Sequence, residues 1–452
     1  MIKIKSKILK NGLNIRFNKK NYDIKYPKNI WKKLSDENKL FLLDNISFLT
    51  TLHLPLFFDE ESISYNTNEP LLKSFFRDIV MGDIPNFCSI EGKNTNEILR
   101  QFYNIEYYFN DIDARLPNFN YDFFGDVLIN FTFGKESLLT FGVCKEIGLK
   151  TELVYFYVNE GETETRLKKI LAKNFSKNFK QRFFMVKNSV EYLNIAEFIG
   201  AKQNFNWGYS NQLTEYTLAS LPINVETGCR FILFGNEKSC NSYFFNNDGY
   251  KAYPVFDQSI KWMLMANNIL KIISKGKIST FSIVEPLNEI AIMKILHKRY
   301  PDIAKYQFSC FPDNINYNGR WCHACTKCAR IFLFFKAIGV DPKTVGFEKD
   351  LFKKEFLNNF SLFNGKTNNS LVYDYSGLGR DEQLFAFYLA YRNGQKGRAI
   401  EIFKKNYLKE AKQREDELFK EFFGVFNPVT IPKEIKNNVI SIFKEELGKN
   451  LM

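Results

Sequence analysis

The chain has 452 residues, 45% hydrophobic, 25% charged and 16% aromatic, a balance that excludes a disordered chain, which lacks the apolar surface to offset its ordering entropy. Its 63 Lys and Arg against 50 Asp and Glu leave a net charge of +13, a field that draws phosphorylated small molecules, RNA or other anions alike. No apolar run approaches the ~20 residues of a bilayer span and Met1-Ile2-Lys3-Ile4-Lys5 lacks a signal peptide's apolar core, so a soluble, cytoplasmic protein without a membrane partner is expected.

Residues 1–26 read as short strands, with Asn11-Gly12 as a hairpin turn between Ile4/Ile8 and Leu13/Ile15/Phe17. Ser35 is the expected N-cap of a helix towards Leu52, whose Leu40, Leu43, Ile46 and Leu49 share a face. Amphipathic stretches follow over 71–79 and 96–109. Residues 1–120 thus form an N-terminal α+β region without a catalytic constellation.

From 121 to 305 strands and helices alternate. Strands are predicted over 127–131, 153–158, 183–186, 231–234 and 278–284. Helices are predicted over 136–147 (closed by Gly148 as the C′ residue), 164–172, 190–199, 212–221, 258–273 and 286–296, the last with Pro286 in its first turn. Such alternation with short links means a five-stranded parallel, doubly wound α/β sheet with helices on both faces. Residues 306–340 hold a cysteine cluster that runs into a helix over 329–338. Residues 341–452 are mostly helical, over 381–391, 397–422 and 433–447, and read as a packing appendage.

Two segments carry chemistry. Asn130-Phe131-Thr132-Phe133-Gly134-Lys135-Glu136-Ser137-Leu138 joins the first parallel strand to its helix. In open α/β sheets ligands bind beside the point where strand order reverses, and a helix N-terminus there offers N–H groups to a phosphate chain. Gly134 permits close approach, Thr132 and Ser137 add hydroxyls, Lys135 adds charge, and Glu136 offers an oxygen to Mg²⁺. Gly365-Lys366-Thr367 does not complete a Walker A loop, because Phe360 stands where the first glycine belongs. The second segment is Cys310 followed by Cys322-x₂-Cys325-x₂-Cys328. Four thiolates suffice for a closed tetrahedral zinc with a structural role, and an iron–sulfur cluster is the alternative. Cys88, Cys144, Cys229 and Cys240 are expected to be packed thiols. His53, His297 and His323 lack partners that would make a base and are expected to be structural.

Thr132-Phe133-Gly134-Lys135-Glu136-Ser137 resembles the pyrophosphatase loop of the PP-loop ATPases, Ser-Gly-Gly-x-Asp-Ser, and departs from it at Thr132, Phe133 and Glu136. Joined to the four-cysteine segment, it resembles two families: the UDP-N-acetyl-α-D-muramoyl-L-alanyl-L-glutamate epimerases and 7-cyano-7-deazaguanine synthase. Phe234-Gly235-Asn236-Glu237-Lys238-Ser239, the stretch 281–290 and Arg320-Trp321-Cys322-x₂-Cys325-x-Lys327-Cys328 favour the epimerases. The resemblance covers roughly 120–340.

It implies a HUP/PP-loop fold, ATP with Mg²⁺, a structural Zn²⁺ and cleavage of ATP to AMP and pyrophosphate as a carboxylate is adenylated. The substrate it implies is an anionic UDP-linked muramyl dipeptide of peptidoglycan biosynthesis, epimerised at its terminal L-Glu. Thr132, Phe133, Gly134, Lys135, Glu136, Ser137 and Asn236 would bind the nucleotide. Lys135, Glu136 and Glu237 would be catalytic, Glu237 as a contact to metal or substrate, with Glu285 and Glu289 as weaker candidates. The alternatives are a deazaguanine-synthase-like or tRNA-modifying enzyme, and a nucleotide-binding protein without turnover. RNA is less favoured, since no contiguous basic–aromatic face is visible.

Overall fold

The computed structural model describes residues 1–201, 207–208, 210–310, 319–364 and 372–448; the rejected Gly365-Lys366-Thr367 motif lies outside the described residues. The strands in chain order are β1 (Ile2–Leu9), β2 (Gly12–Phe17), β3 (Lys20–Lys25), β4 (Ser62–Tyr65), β5 (Glu106–Tyr108), β6 (Gly125–Asn130), β7 (Thr151–Tyr157), β8 (Phe183–Asn188), β9 (Cys229–Leu233), β10 (Phe244–Phe245), β11 (Lys251–Ala252) and β12 (Ser279–Phe281). β10 and β11 form a separate two-stranded ribbon. All the others lie in one mixed, mostly parallel sheet, in the order β12-β9-β6-β7-β8-β3-β2-β1-β4-β5.

The sheet therefore has ten strands where five were expected. The five parallel ones, β12-β9-β6-β7-β8, start at β6, run outwards through β7 and β8, and return to the other side at β9 and β12. An exposed β8 would leave a row of unpaired backbone groups. β3 covers it in antiparallel register, Ile24 opposite Asn188 and Lys25 opposite Lys187, so the N-terminal meander continues the same sheet.

Alternate residues of the central strands enter two different cores, which is why these strands are apolar on both faces. Val127, Ile129, Leu153 and Leu233 face one core, built with the helices Lys135–Glu146, Thr163–Phe179 and Glu289–Arg299. Leu128, Val154, Phe156 and Ile232 face the other, with Asp36–Leu49, Lys73–Glu91, Gln212–Thr227 and Ile260–Ser274. Ser35 caps its helix by accepting from the Asn38 N–H, and Gly148 takes the left-handed conformation (φ 81°) after the helix Lys135–Glu146.

Five expectations need correction. The helix expected over 190–199 is a 3₁₀ turn (Ser189–Asn194) broken at the extended Ile195 before a single short helical turn (Ala196–Ile199). Pro286 lies in the turn before its helix, which begins at Glu289 with Asn288 as N-cap. The stretch 96–109 is a helix only to Tyr103 and then enters the sheet as β5. The helix expected over 397–422 is three: Arg398–Asn406, Leu408–Gln413 and Glu415–Phe422. Finally, Asp36–Phe58 is long and apolar enough to cross a membrane by length and composition, but 94% of its apolar window is buried inside the protein. It is a core element.

Candidate functional site

The strand order reverses between β6 and β9, so the chain leaving these two strands meets at the position where open α/β sheets bind their ligands. Glycine allows the approach: a Cβ on Gly235 would stand 2.6 Å from Glu136 Cβ. The Lys238 N–H donates to the Leu287 carbonyl (2.9 Å), tying the exit of β9 to that of β12.

Within the loop after β6, Phe133 adopts φ +63°, a left-handed conformation that costs a side-chain-bearing residue roughly 1–2 kcal/mol. Its ring is fully buried, stacked on Phe183 at 5.8 Å and edge-on to Phe131 at 5.0 Å. Its carbonyl accepts from the Phe308 N–H at 2.9 Å. The residue thus takes a glycine's backbone conformation while its ring fills the core. Phe133→Gly is expected to lower stability by about 2 kcal/mol, because the ring's ~3–5 kcal/mol of packing outweighs the relief of strain. Urea unfolding at equal or greater stability would show that the ring contributes nothing.

Gly134 is the N-cap of the following helix and offers no side chain to its first N–H groups. Thr132 is exposed, while the Ser137 hydroxyl is buried and donates to the Gly134 carbonyl at 3.1 Å. Lys135 does not reach into open space. Its buried ammonium is ion-paired with Glu136 and, at 3.1 Å, with Glu289. Burial opposes its charge, yet Glu136, Glu289 and Glu237 hold it well above the usual lysine value.

Glu289 sits between two buried cations, with its Oε2 also 3.3 Å from Arg330 Nε. Burial works against its ionisation, but Arg330 and Lys135 bring it down to about 2. Arg330 also pairs with Asp374 and lies 4.9 Å from the Tyr373 ring, and Thr326 donates to Asp374. The Tyr373 hydroxyl donates to Glu382 at 2.6 Å, and Glu382 in turn accepts from the Ile290 N–H at 2.9 Å.

Glu237 follows β9 and is 5% exposed. Its Oε1 accepts from the Ser239 hydroxyl at 2.6 Å, whereas Oε2 has no partner among the described residues. Burial first, and Glu289 second, push it well above the carboxylate range, with Lys135 opposing. Asn236, also buried, has an unpartnered Nδ2 and lines a small cavity with Ser282, Gln258 and Thr430. Glu285 accepts from the backbone of Val429 (2.5 Å) and Thr430 (2.9 Å), so it fastens the C-terminal segment and is not free for a ligand.

His53 stacks on Trp207, with its Nε2 3.3 Å from the Leu193 carbonyl, and His297 Nε2 lies 2.7 Å from Gln307 Oε1; burial lowers both to about 4. His323 Nε2 accepts from the Glu348 N–H at 3.3 Å.

The four sulfurs of Cys310, Cys322, Cys325 and Cys328 converge within 4.8 Å of one another. Contacts of 3.5, 3.6 and 3.5 Å link Cys322 to Cys325, Cys322 to Cys328 and Cys328 to Cys310. Thiolates ~2.3 Å from a tetrahedral ion lie ~3.8 Å apart, and disulfides would be near 2 Å. The cluster is compatible with one structural metal ion such as zinc. Trp321, fully buried, stacks on Phe347 and donates to the Val345 carbonyl at 2.9 Å, which braces the segment. Cys325 caps the helix Thr326–Ala337, and Arg330 lies on this helix just past Cys328. The cysteine cluster therefore fixes the helix that delivers Arg330 to the buried ionic cluster. Cys88, Cys144 and Cys229 are buried and burial raises each thiol, as packed cysteines require. Cys240, half-buried, contacts Gln258.

Sequence reasoning missed Arg330, Tyr373, Asp374 and Glu382. A lone charge in the run Ala329-Arg330-Ile331-Phe332-Leu333-Phe334-Phe335 was the available signal for Arg330, since a buried cation demands a partner. Tyr373, Asp374 and Glu382 lie in the region read as an appendage, and nothing in their own spacing announced them.

Fold and site together define a mixed α/β protein with a mostly parallel central sheet, a buried ionic cluster at its strand-order reversal and a four-cysteine cluster beside it. No family model matches the chain, and no curated protein matches its sequence.

Proposed function

We propose that the protein is an ATP-dependent enzyme of the PP-loop type that adenylates a carboxylate, releases pyrophosphate and epimerises a UDP-linked muramoyl-L-Ala-L-Glu or a related substrate. The observation that carries this reading is the helix start at Gly134, without a side-chain cap, at the strand-order reversal. N–H groups so placed favour a phosphate chain, and Phe133 keeps the loop in a glycine-like turn.

The chemistry explains a need for ATP. The hydrogen on a carbon beside a carboxylate is very weakly acidic, because the carbanion would form next to a negative charge. When a carboxylate oxygen attacks the α-phosphorus and pyrophosphate leaves, that charge is removed and a modest base suffices. Mg²⁺ would neutralise the phosphates, and zinc in the four-cysteine cluster would be structural. Lys135 organises Glu136 and Glu289 around the loop. The positive net charge suits a UDP-linked, cytoplasmic substrate.

Incubation with ATP, Mg²⁺ and UDP-N-acetylmuramoyl-L-Ala-L-Glu tests the reading: AMP and pyrophosphate are expected only with the dipeptide present, and ADP formation would contradict it. Lys135→Ala is expected to slow this turnover by ~10²–10³-fold, the size typical of a lost electrostatic contact. Unchanged turnover would remove the loop from the mechanism. The prior engagement of Lys135 by two carboxylates favours a second reading, nucleotide binding without turnover. ATP bound but uncleaved with every carboxylate offered would select it.

A further inference from the structure

Epimerisation needs a group that carries the α-proton, and the three histidines of the chain are buried against other partners. Two glutamates in the ionic cluster have opposite surroundings. The Glu289 carboxylate is committed, held between Lys135 at 3.1 Å and Arg330 at 3.3 Å. Glu237 is not. One of its oxygens accepts from Ser239, and the other is buried without a partner among the described residues. Leaving such an oxygen unpaired is costly, which makes it a place where a ligand is missing. It stands on the stretch whose Gly235 touches the start of the loop's helix.

We propose that Glu237 is a catalytic residue that carries the proton between solvent and the α-carbon of the activated substrate. This rests on the adenylation reading and goes beyond it by assigning the proton carrier. Two carboxyls driven apart by their surroundings divide the work: one stays ionised and the other exchanges a proton. Here burial and the ionised Glu289 favour the protonated form of Glu237. Glu237 first gives its proton to solvent. With the substrate carboxylate joined to AMP, the resulting carboxylate, made more basic by the same surroundings, accepts the Cα proton. The C–H electron pair becomes an enolate delocalised into the acyl carbonyl. A new C–H bond forms on the opposite face with a proton from water, and Glu237 returns its own proton to solvent. Water then cleaves the acyl–phosphate bond, giving AMP and the carboxylate.

The test compares wild type with Glu237→Gln in D₂O, with ATP, Mg²⁺ and UDP-N-acetylmuramoyl-L-Ala-L-Glu. Pyrophosphate release and deuterium at the glutamyl Cα are followed separately. Deuterium uptake is expected to fall by ~10²–10⁴-fold in the variant, with pyrophosphate release falling far less. Uptake at the wild-type rate overturns the proposal. So does parallel loss of both signals in a variant that retains its circular-dichroism spectrum, since Glu237 would then be a nucleotide or metal contact. Wild-type protein that releases no pyrophosphate defeats the adenylation reading itself, and the proton carrier falls with it.

Discussion

Replacing Cys328 with Ser is expected to abolish stoichiometric metal binding and to loosen the segment around it. Cys328 is fully buried and contacts both Cys310 and Cys322. A structural zinc contributes ~10–16 kcal/mol of apparent binding energy in small finger peptides. Here a large apolar core shares the burden, since Trp321, Phe332 and Phe335 pack in the same cluster as Cys328. A loss of several kcal/mol is therefore expected, seen as a lower thermal midpoint for the variant and for chelator-treated wild type. Elemental analysis should find one zinc per wild-type chain. Iron in its place, or a Cys328→Ser protein that keeps one equivalent of metal, would overturn the assignment.

Arg330→Met is expected to cost about 3–5 kcal/mol, the penalty for removing one partner of a buried pair. Arg330 is 3% exposed, and its guanidinium serves both Glu289 and Asp374. Methionine fills the volume and leaves two buried carboxylates short of a cation. Adding Glu289→Gln should recover part of the loss, because one of the stranded charges is then gone. Denaturant unfolding of the two single variants and the double variant gives the coupling. A single variant within 1 kcal/mol of wild type, well below the penalty for a broken buried pair, would mean that the network is slack.

The pH dependence follows with a definite sign. Glu289 titrates at about 2 when folded, against ~4.3 unfolded, so its contribution is complete above ~4.3 and is lost as pH falls towards 2. In Arg330→Met the folded value rises towards the unfolded one, so this acid-dependent loss should be smaller and should be complete at a higher pH, read by denaturant unfolding across roughly pH 2–6.

The alternation of strands and helices after residue 121, the cap at Ser35, the first hairpin and the four-cysteine cluster were legible in the sequence, although the hairpin's two-residue turn is Lys10-Asn11 and not Asn11-Gly12, since Gly12 already pairs with Leu9 in β2. Each depends on residues close together in the chain, and the local rules that govern them act over a few positions. The loop at 132–137 could be placed after its strand for the same reason. Its geometry could not. Only the structure shows Phe133 in a glycine's conformation, because what holds it there is Phe183 and the backbone of Phe308.

The pairing of β3 with β8, which merges the N-terminal meander into the central sheet, joins residues far apart in the chain, and no local pattern specifies it. The same holds for the ionic cluster: Lys135, Glu237, Glu289, Arg330 and Asp374 come from five separate segments. Sequence fixes which residues carry charge and which must be buried. Whether a buried charge meets its partner, and which carboxylate is left with a free oxygen, depends on long-range packing. That packing places Glu289 between two cations and, among the described residues, leaves Glu237 without one in contact.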